Sequence, residues 1–372
     1  MKRLILMGAG HAHLVVLQHF LKSPLRNVEL VLVTPSRWQY YSGMIPGWIA
    51  GHYTIDECRI EVEPVVRAAG GRLILDAVVA VQADQKQLRL AGGEWLSYDA
   101  LSIDIGARTN LSSLNGYAGP VLSIKPLEQF YPQWQQLAES GNQAGKHLVI
   151  VGGGAAGAEL AMAIAYQGQR RPDAGPRITL IAGEQGLLPD FGRRLRKLTS
   201  KALSRLDIER VDQRATGAGE ALQLSCGQTL QADLIMAVTG AAPFDFLATS
   251  GLATDDKGFV LVNACHQSPS HPDVFAAGDA CSRVDQSLNR SGVHAVRAGP
   301  VLAANLRAFL GGGSLSTFKP RTNTLYLIAC GGKTATGSYG LLAFSGKWVW
   351  WLKDRIDRGF VAGFLRHRDN QM

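Results

Sequence analysis

Two short runs of this 372-residue chain have the residue types and spacing to hold a phosphate. Gly152-Gly153-Gly154-Ala155-Ala156-Gly157 puts glycine at all three positions of a G-x-G-x-x-G turn. The first glycine permits the turn, the second lets backbone approach a pyrophosphate, and the third lets helix and strand pack closely. Gly8-Ala9-Gly10-His11-Ala12-His13 repeats the first two glycines and has His13 at the third place. The chemistry expected of both runs is anion binding, because free backbone N–H groups and the dipole at a helix N-terminus favour phosphate. In a third run, Gly278-Asp279-Ala280, a carboxylate follows a short apolar segment. It can accept hydrogen bonds from a polyol, or it can simply cap a helix.

Such turns work only between a buried strand and a helix. Leu4-Ile5-Leu6-Met7 precedes the first turn and Leu14-Val15-Val16-Leu17 follows it. His147 to Val151 is a near-continuous apolar run, the pattern of a parallel strand covered on both faces, and Ala158 to Ala165 reads as a helix of small residues. Val274-Phe275-Ala276-Ala277 leads into Gly278. The two strand–turn–helix units begin 144 residues apart, Gly8 to Gly152, so the predicted class is α/β with two Rossmann-like dinucleotide-binding domains.

Composition agrees with several tight turns in a globular chain. Glycine supplies 42 residues, about 11% where about 7% is usual, without a collagen-like period. Charged residues are 18% and hydrophobic residues 46%, which excludes a disordered chain, a coiled coil and a highly acidic protein. At roughly 100–200 residues per domain, the length allows two or three domains. Five scattered cysteines with no C-x-x-C exclude a disulfide scaffold and a zinc pattern, so reduced thiols, no metal and a cytoplasmic location are expected. The opening MKRLILMGAG reads as a first strand rather than a signal peptide, and no run of 18 apolar residues exists.

In this order the three motifs resemble the two-dinucleotide-binding-domain flavoprotein reductases. The resemblance implies FAD on Gly8, Gly10, His11 and His13, with Gly278 and Asp279 at its ribityl chain. It implies NADH or NADPH on Gly152, Gly154 and Gly157. Tyr98 to Gly106 is similar to the strand that returns to the flavin, and Ala232 to Gly240 to its counterpart leaving the nicotinamide domain. The chain resembles in particular the type II NADH dehydrogenases and the FAD-dependent oxidoreductase module joined ahead of selenide, water dikinase. The likeness lies in GAGHAHL at 8–14, YSGMIPG at 41–47, SGVHAVRAGPVLAANL at 291–306 and WVWWLKDRIDRGF at 348–360.

The implied organisation is an FAD-binding domain from 1–114 and 240–310, an inserted NAD(P)-binding domain at 115–239, and a flavin-covering segment at 311–372. The implied reaction moves a hydride from nicotinamide to flavin and then electrons to a small acceptor, a quinone or another molecule. Glu159 resembles the acid that follows the second motif in the type II enzymes and is assigned to proton transfer near the nicotinamide. His294, on the family's flavin-proximal helix, is the histidine assigned to proton delivery. Two other readings follow from the same residues. One is a reductase of a sulfur or selenium species that uses Cys330, and the other an FAD-bound redox sensor or interaction module.

The chain departs from that pattern. Only Cys58 falls in the first 200 residues, against the redox pair of disulfide reductases, and Glu159 stands where sulfide:quinone reductases carry a cysteine. Val293 and Arg297 occupy the glutamine positions of the type II quinone segment. The acid that accepts a ribose 2′-OH is missing after both second strands, which end at Thr34 and Ala182. Thr34 or Ser36 stands in for it in the first domain. In the second, Glu184 lies two residues further on, and Arg193 and Arg194 suit a 2′-phosphate.

The net charge of +8 resides in two stretches. Residues 193–214 hold eight lysines or arginines against three acids and read as a solvated helix face, with no nucleic acid expected. Residues 347–372 hold six against three. There Trp348, Leu352, Ile356 and Phe360 recur every four residues, which predicts an amphipathic helix. Such a helix suits a homodimer contact or the inner face of the cell membrane.

Overall fold

A computed structural model describes residues 1–140, 144–170 and 175–365. The strands that position the site are, in chain order, β1 (Lys2–Met7), β2 (Val28–Thr34), β3 (Arg72–Leu75), β4 (Ala100–Ile103), β5 (Val121–Ser123), β6 (His147–Val151), β7 (Arg177–Ile181), β8 (Glu209–Val211), β9 (Leu234–Ala237), β10 (Val274–Ala276), β11 (Leu325–Ala329), β12 (Ala335–Tyr339) and β13 (Leu342–Gly346). The helices are α1 (His11–Lys22), α2 (Ala155–Gln169), α3 (Arg193–Ser204), α4 (Gly292–Gly311) and α5 (Lys347–Leu365).

The apolar runs become two parallel five-stranded sheets. One has the order β10-β4-β1-β2-β3 and the other β5-β9-β6-β7-β8. Each glycine turn leaves the middle strand of its sheet, β1 or β6, where the chain order reverses, the position at which sheets of this kind bind ligands. Leu4, Ile5, Leu6 and Met7 are wholly buried, as are Val149 and Ile150, so both faces of each central strand are covered. Each such side chain contributes about 1.5–3 kcal/mol on burial. Helix α1 packs on α4, and the absence of a side chain at Gly299 admits Val15 between them.

After these sheets, β11, β12 and β13 form an antiparallel meander and lead into α5. On α3 the apolar face buries Leu195, Thr199 and Leu203, and Arg193, Arg194, Arg196, Lys197 and Lys201 stay exposed, the solvated face expected. Helix α5 corrects the expected stripe. Its buried row is Val349, Lys353, Asp357, Val361 and Phe364, whereas Trp348 and Ile356 are exposed at 55% and 44%. A lysine and an aspartate occupy the inward row because they neutralise each other and meet polar groups beneath. The part of the basic stretch at 366–372 lies outside the described residues.

Candidate functional site

The second glycine turn is an open cradle. Gly152 sits at φ +140°, and a Cβ there would collide with the carbonyl oxygen of Val238. A Cβ at Gly157 would strike the carbonyl oxygen of Gly152, so only glycine lets α2 approach β6. Gly154, the N-cap of α2, has nothing within 4 Å of where its Cβ would be. No side chain caps this helix and no acid lies in its first turn, which leaves its positive end to an anion. Glu184 is exposed just beyond Ala182, and Arg193 and Arg194 are exposed at the start of α3.

The first turn is braced from within. Gly8 lies at φ +89°, and its Cβ would fall 2.5 Å from the carbonyl oxygen of Asp104. The Asp104 carboxyl, at a residue only 3% exposed, fills the space beside Gly10 and Gly278 that their missing side chains leave. It accepts the backbone N–H of His13 at 3.0 Å and that of Ala12. Burial pushes its pKa up to about 7 against these two donors, with the nearby Asp279 adding to the rise. Asp104 was not among the residues singled out by sequence, although an acid inside the apolar run Leu101 to Ile105 was a signal.

His13 is expected either to donate to the phosphate or to pack beside it, and the structure turns its ring inward to pack. Its Nδ1 lies 2.6 Å from the Gly8 carbonyl oxygen and its Nε2 2.8 Å from Ser102 Oγ. The carbonyl can only accept, so Nδ1 carries the proton and Nε2 accepts from the hydroxyl. Both nitrogens are therefore spent inside the sheet, and burial lowers the pKa to about 4. His11 leaves its buried Nε2 without a protein partner. It packs on Tyr41 and Phe360 with ring centres 5.4 and 5.9 Å away, and burial lowers it to about 4, so it is neutral.

Asp279 is paired with Lys125 across the two sheets, Nζ to Oδ2 2.6 Å. Gly106 and Gly278 take the left-handed backbone at φ +69° and +67°. Thr34 is buried at the end of β2, and Ser36 closes a local turn with the backbone of Trp38. Among the described residues, the buried polar atoms that lack a protein partner include His11 Nε2, Ser291 Oγ at the N-cap of α4, and His294 Nδ1. An elongated ligand rich in phosphate and hydroxyl oxygens meets that requirement, so the residues present fit FAD.

Glu159 on α2 ties that helix to β11 and lies in the field of Lys353 on α5. Its Oε1 accepts the N–H of Ala329 at 2.8 Å. Burial raises its carboxyl to about 7, more than Lys353 pulls it down. Lys353 donates to Asp357 Oδ2 and to the Gly43 carbonyl, both at 2.7 Å. Burial works against its charge, and Asp357 and Glu159 outweigh that effect. Tyr41 donates to Asp357 Oδ1 at 3.3 Å, and burial raises its phenol. Of this cluster only Glu159 is assigned a role from sequence, because Lys353, Asp357 and Tyr41 meet it only through contacts distant in the chain.

His294 is half-buried on α4, and burial and then Arg297 lower its pKa. Cys330 is buried, donates to the Ile328 carbonyl, and is pushed up to about 12 by burial. A thiol so protonated is a poor nucleophile. No group of three or more metal-binding side chains occurs among the described residues.

The pattern of the family described as pyridine nucleotide-disulphide oxidoreductase matches residues 2–299. The ferredoxin–NAD(+) reductase component of the biphenyl dioxygenase system of Paraburkholderia xenovorans is 31% identical over 205 residues, 53% of this chain and 47% of that protein. The chain thus spans about half the length of that relative. The NADH dehydrogenase-like protein YutJ of Bacillus subtilis is 24% identical over 296 residues, 76% and 77% of the two chains. Among solved structures, NDH2 of Plasmodium falciparum in complex with NADH superposes with a TM-score of 0.80. That match covers 99% of this chain and 98% of that one at 14% identity, a likeness of fold.

Proposed function

We propose that this chain, which belongs to the pyridine nucleotide-disulphide oxidoreductase family, is an FAD-dependent NAD(P)H oxidoreductase whose residues divide the work as follows. FAD is held at the first turn by Gly8, Gly10, His11, Thr34, Ser36, Gly106, Gly278 and Asp279. NADH or NADPH is held on Gly152, Gly154 and Gly157, with Glu184, Arg193 and Arg194 near its ribose. The observation that carries this reading is the pair of glycine turns on the middle strands of two parallel sheets, with the buried, unpartnered Nε2 of His11 in the first.

FAD, when bound, supplies the two-electron acceptor for the nicotinamide hydride and the donor for the next molecule. The chain's own part is binding, orientation and proton handling. Glu159, poised near neutrality, holds a proton between α2 and α5 and gives it to the reduced acceptor. Lys353 stays charged beside it, and Asp357 with Tyr41 fixes that lysine. His294 is neutral and positions a hydrogen bond with its unpartnered Nδ1.

The acceptor proposed is a small molecule, with quinones first. The supporting feature is an apolar surface near α5, made by Tyr339, Leu341, Leu342, Trp348 and Trp351 and flanked by Lys347 and Arg355. No helix among the described residues is long and apolar enough to cross a membrane, so contact with an anionic lipid surface would be peripheral. The resemblance of its motifs to the selenide-pathway module is the reason to include polysulfide and selenite in the same acceptor panel, though buried Cys330 is not their expected site. Steady-state turnover with NADH against ferricyanide, a soluble quinone, polysulfide and selenite tests the assignment. Quinone turnover well above the others, with sedimentation on anionic vesicles, is expected. Turnover confined to polysulfide or selenite would replace quinone as the acceptor.

A further inference from the structure

The glycines of the first turn were expected to make room for a cofactor. Both of them, Gly8 and Gly10, together with Gly278 of the late Gly-Asp run, make room instead for one residue of the chain itself. The backbone of Asp104 lies against Gly8, and its carboxyl lies against Gly10 and Gly278. That carboxyl consumes the amides of Ala12 and His13, so a pyrophosphate must be met by the earlier amides of the turn. The result is a protein acid and a ligand anion sharing one helix N-terminus. Two negative groups on one buried helix N-terminus repel strongly. One of them must carry a proton, and pyrophosphate is the stronger acid.

We propose that Asp104 is a positioning residue for the flavin cofactor: a buried carboxylic acid that braces the start of α1, and that takes up a proton when FAD binds. This inference rests on the reading of the first turn as the FAD site. The charged and titratable groups that face Asp104 do not replace it in this role. Asp279 is paired with Lys125 and adds repulsion. Cys281, across from it on the segment after Asp279, is pushed up to about 12 by burial and stays a neutral thiol. His13 spends both ring nitrogens on Gly8 and Ser102. His11 faces Asp279 and Lys125 rather than Asp104 and is neutral. Arg290 donates to the carbonyl oxygen of Asp279 and lies over Phe259.

The sign follows from linkage. The apo carboxyl titrates near 7, and a bound pyrophosphate raises that value. FAD affinity is then level below about pH 7 and falls on the order of tenfold per pH unit above it. The experiment uses apoprotein stripped of flavin and titrated with FAD by fluorescence from pH 5.5 to 9. Wild type is expected to show that slope, and Asp104→Asn to bind at pH 8.5 as tightly as wild type does at pH 6, without a slope. Calorimetry of the wild type at pH 8, in buffers of different ionisation enthalpy, is expected to give about one proton taken up per FAD. This arm does not depend on any variant folding. Tight FAD binding with a level pH profile and no proton uptake overturns the inference and leaves the flavoprotein assignment intact. A wild-type slope retained in Asp104→Asn also overturns it. No FAD binding at any pH overturns the assignment and the inference together.

Discussion

At the end of β6 the second glycine of the turn, Gly154, faces open space, while at the end of β1 its counterpart Gly10 is pressed against the carboxyl of Asp104. The third positions differ as sharply. Gly157 cannot carry a side chain because it would strike the Gly152 carbonyl. The equivalent carbonyl in the first turn, that of Gly8, is instead bonded by the ring of His13. The same spacing of glycines therefore serves two ends. In the second turn the space is left open, and in the first much of it is filled by the protein. The first turn suits a cofactor that stays, with internal hydrogen bonds to pre-form its cradle. The second suits a co-substrate that comes and goes, with only backbone to meet it.

The largest expected effect tests the third positions. Gly157→Ala forces helix against strand and should cost about 3 kcal/mol in thermal unfolding. His13→Ala leaves the Gly8 carbonyl and the Ser102 hydroxyl without partners and should cost about 1–3 kcal/mol. A His13→Ala variant hurt more than Gly157→Ala would break the comparison.

The second positions come next. Gly154→Ala meets no protein atom, so the melting temperature should hold while the KM for NADH rises about tenfold, or roughly 1.4 kcal/mol. Unaltered NADH kinetics would mean that the open cradle is not where the nucleotide sits.

Glu159→Gln sharpens what lies between the turns. The acid carries its proton below about pH 7 and loses it above. Wild-type acceptor turnover should fall as pH rises through that value, and the variant should be slower and level with pH. An identical profile in both proteins, or an unchanged rate of flavin reduction and reoxidation, would remove Glu159 from the chemistry. The smallest effect is expected of Lys125→Met. Its pair with Asp279 is partly exposed, so stability should change by less than about 1 kcal/mol.

Much of this architecture was legible in the sequence for a local reason. A glycine turn, the apolar strand before it and the helix after it are neighbours in the chain, so β1–α1 and β6–α2 could be read directly. What escaped depends on distant contacts. Asp104 meets His13 across 91 positions, and its buried role appears only once β4 lies beside β1. The row Trp348, Leu352, Ile356 and Phe360 has the right period but the wrong face. Hydrophobicity points those residues inward, yet the tie of Lys353 and Asp357 to Gly43 and Tyr41 turns α5 by about one position. His13 was read by its place in a motif, and the Ser102 hydroxyl that claims its ring lies on another strand.

One measurement bears most directly on the whole account: an anaerobic titration of the purified protein, first with NADH and then with NADPH, followed in the visible spectrum. The account predicts a yellow protein whose flavin absorbance bleaches on addition of one nicotinamide nucleotide or both. It also predicts that Gly154→Ala keeps its flavin but needs more nucleotide to bleach it. A colourless protein that does not take up FAD, or a bound flavin that neither nucleotide reduces, would contradict it.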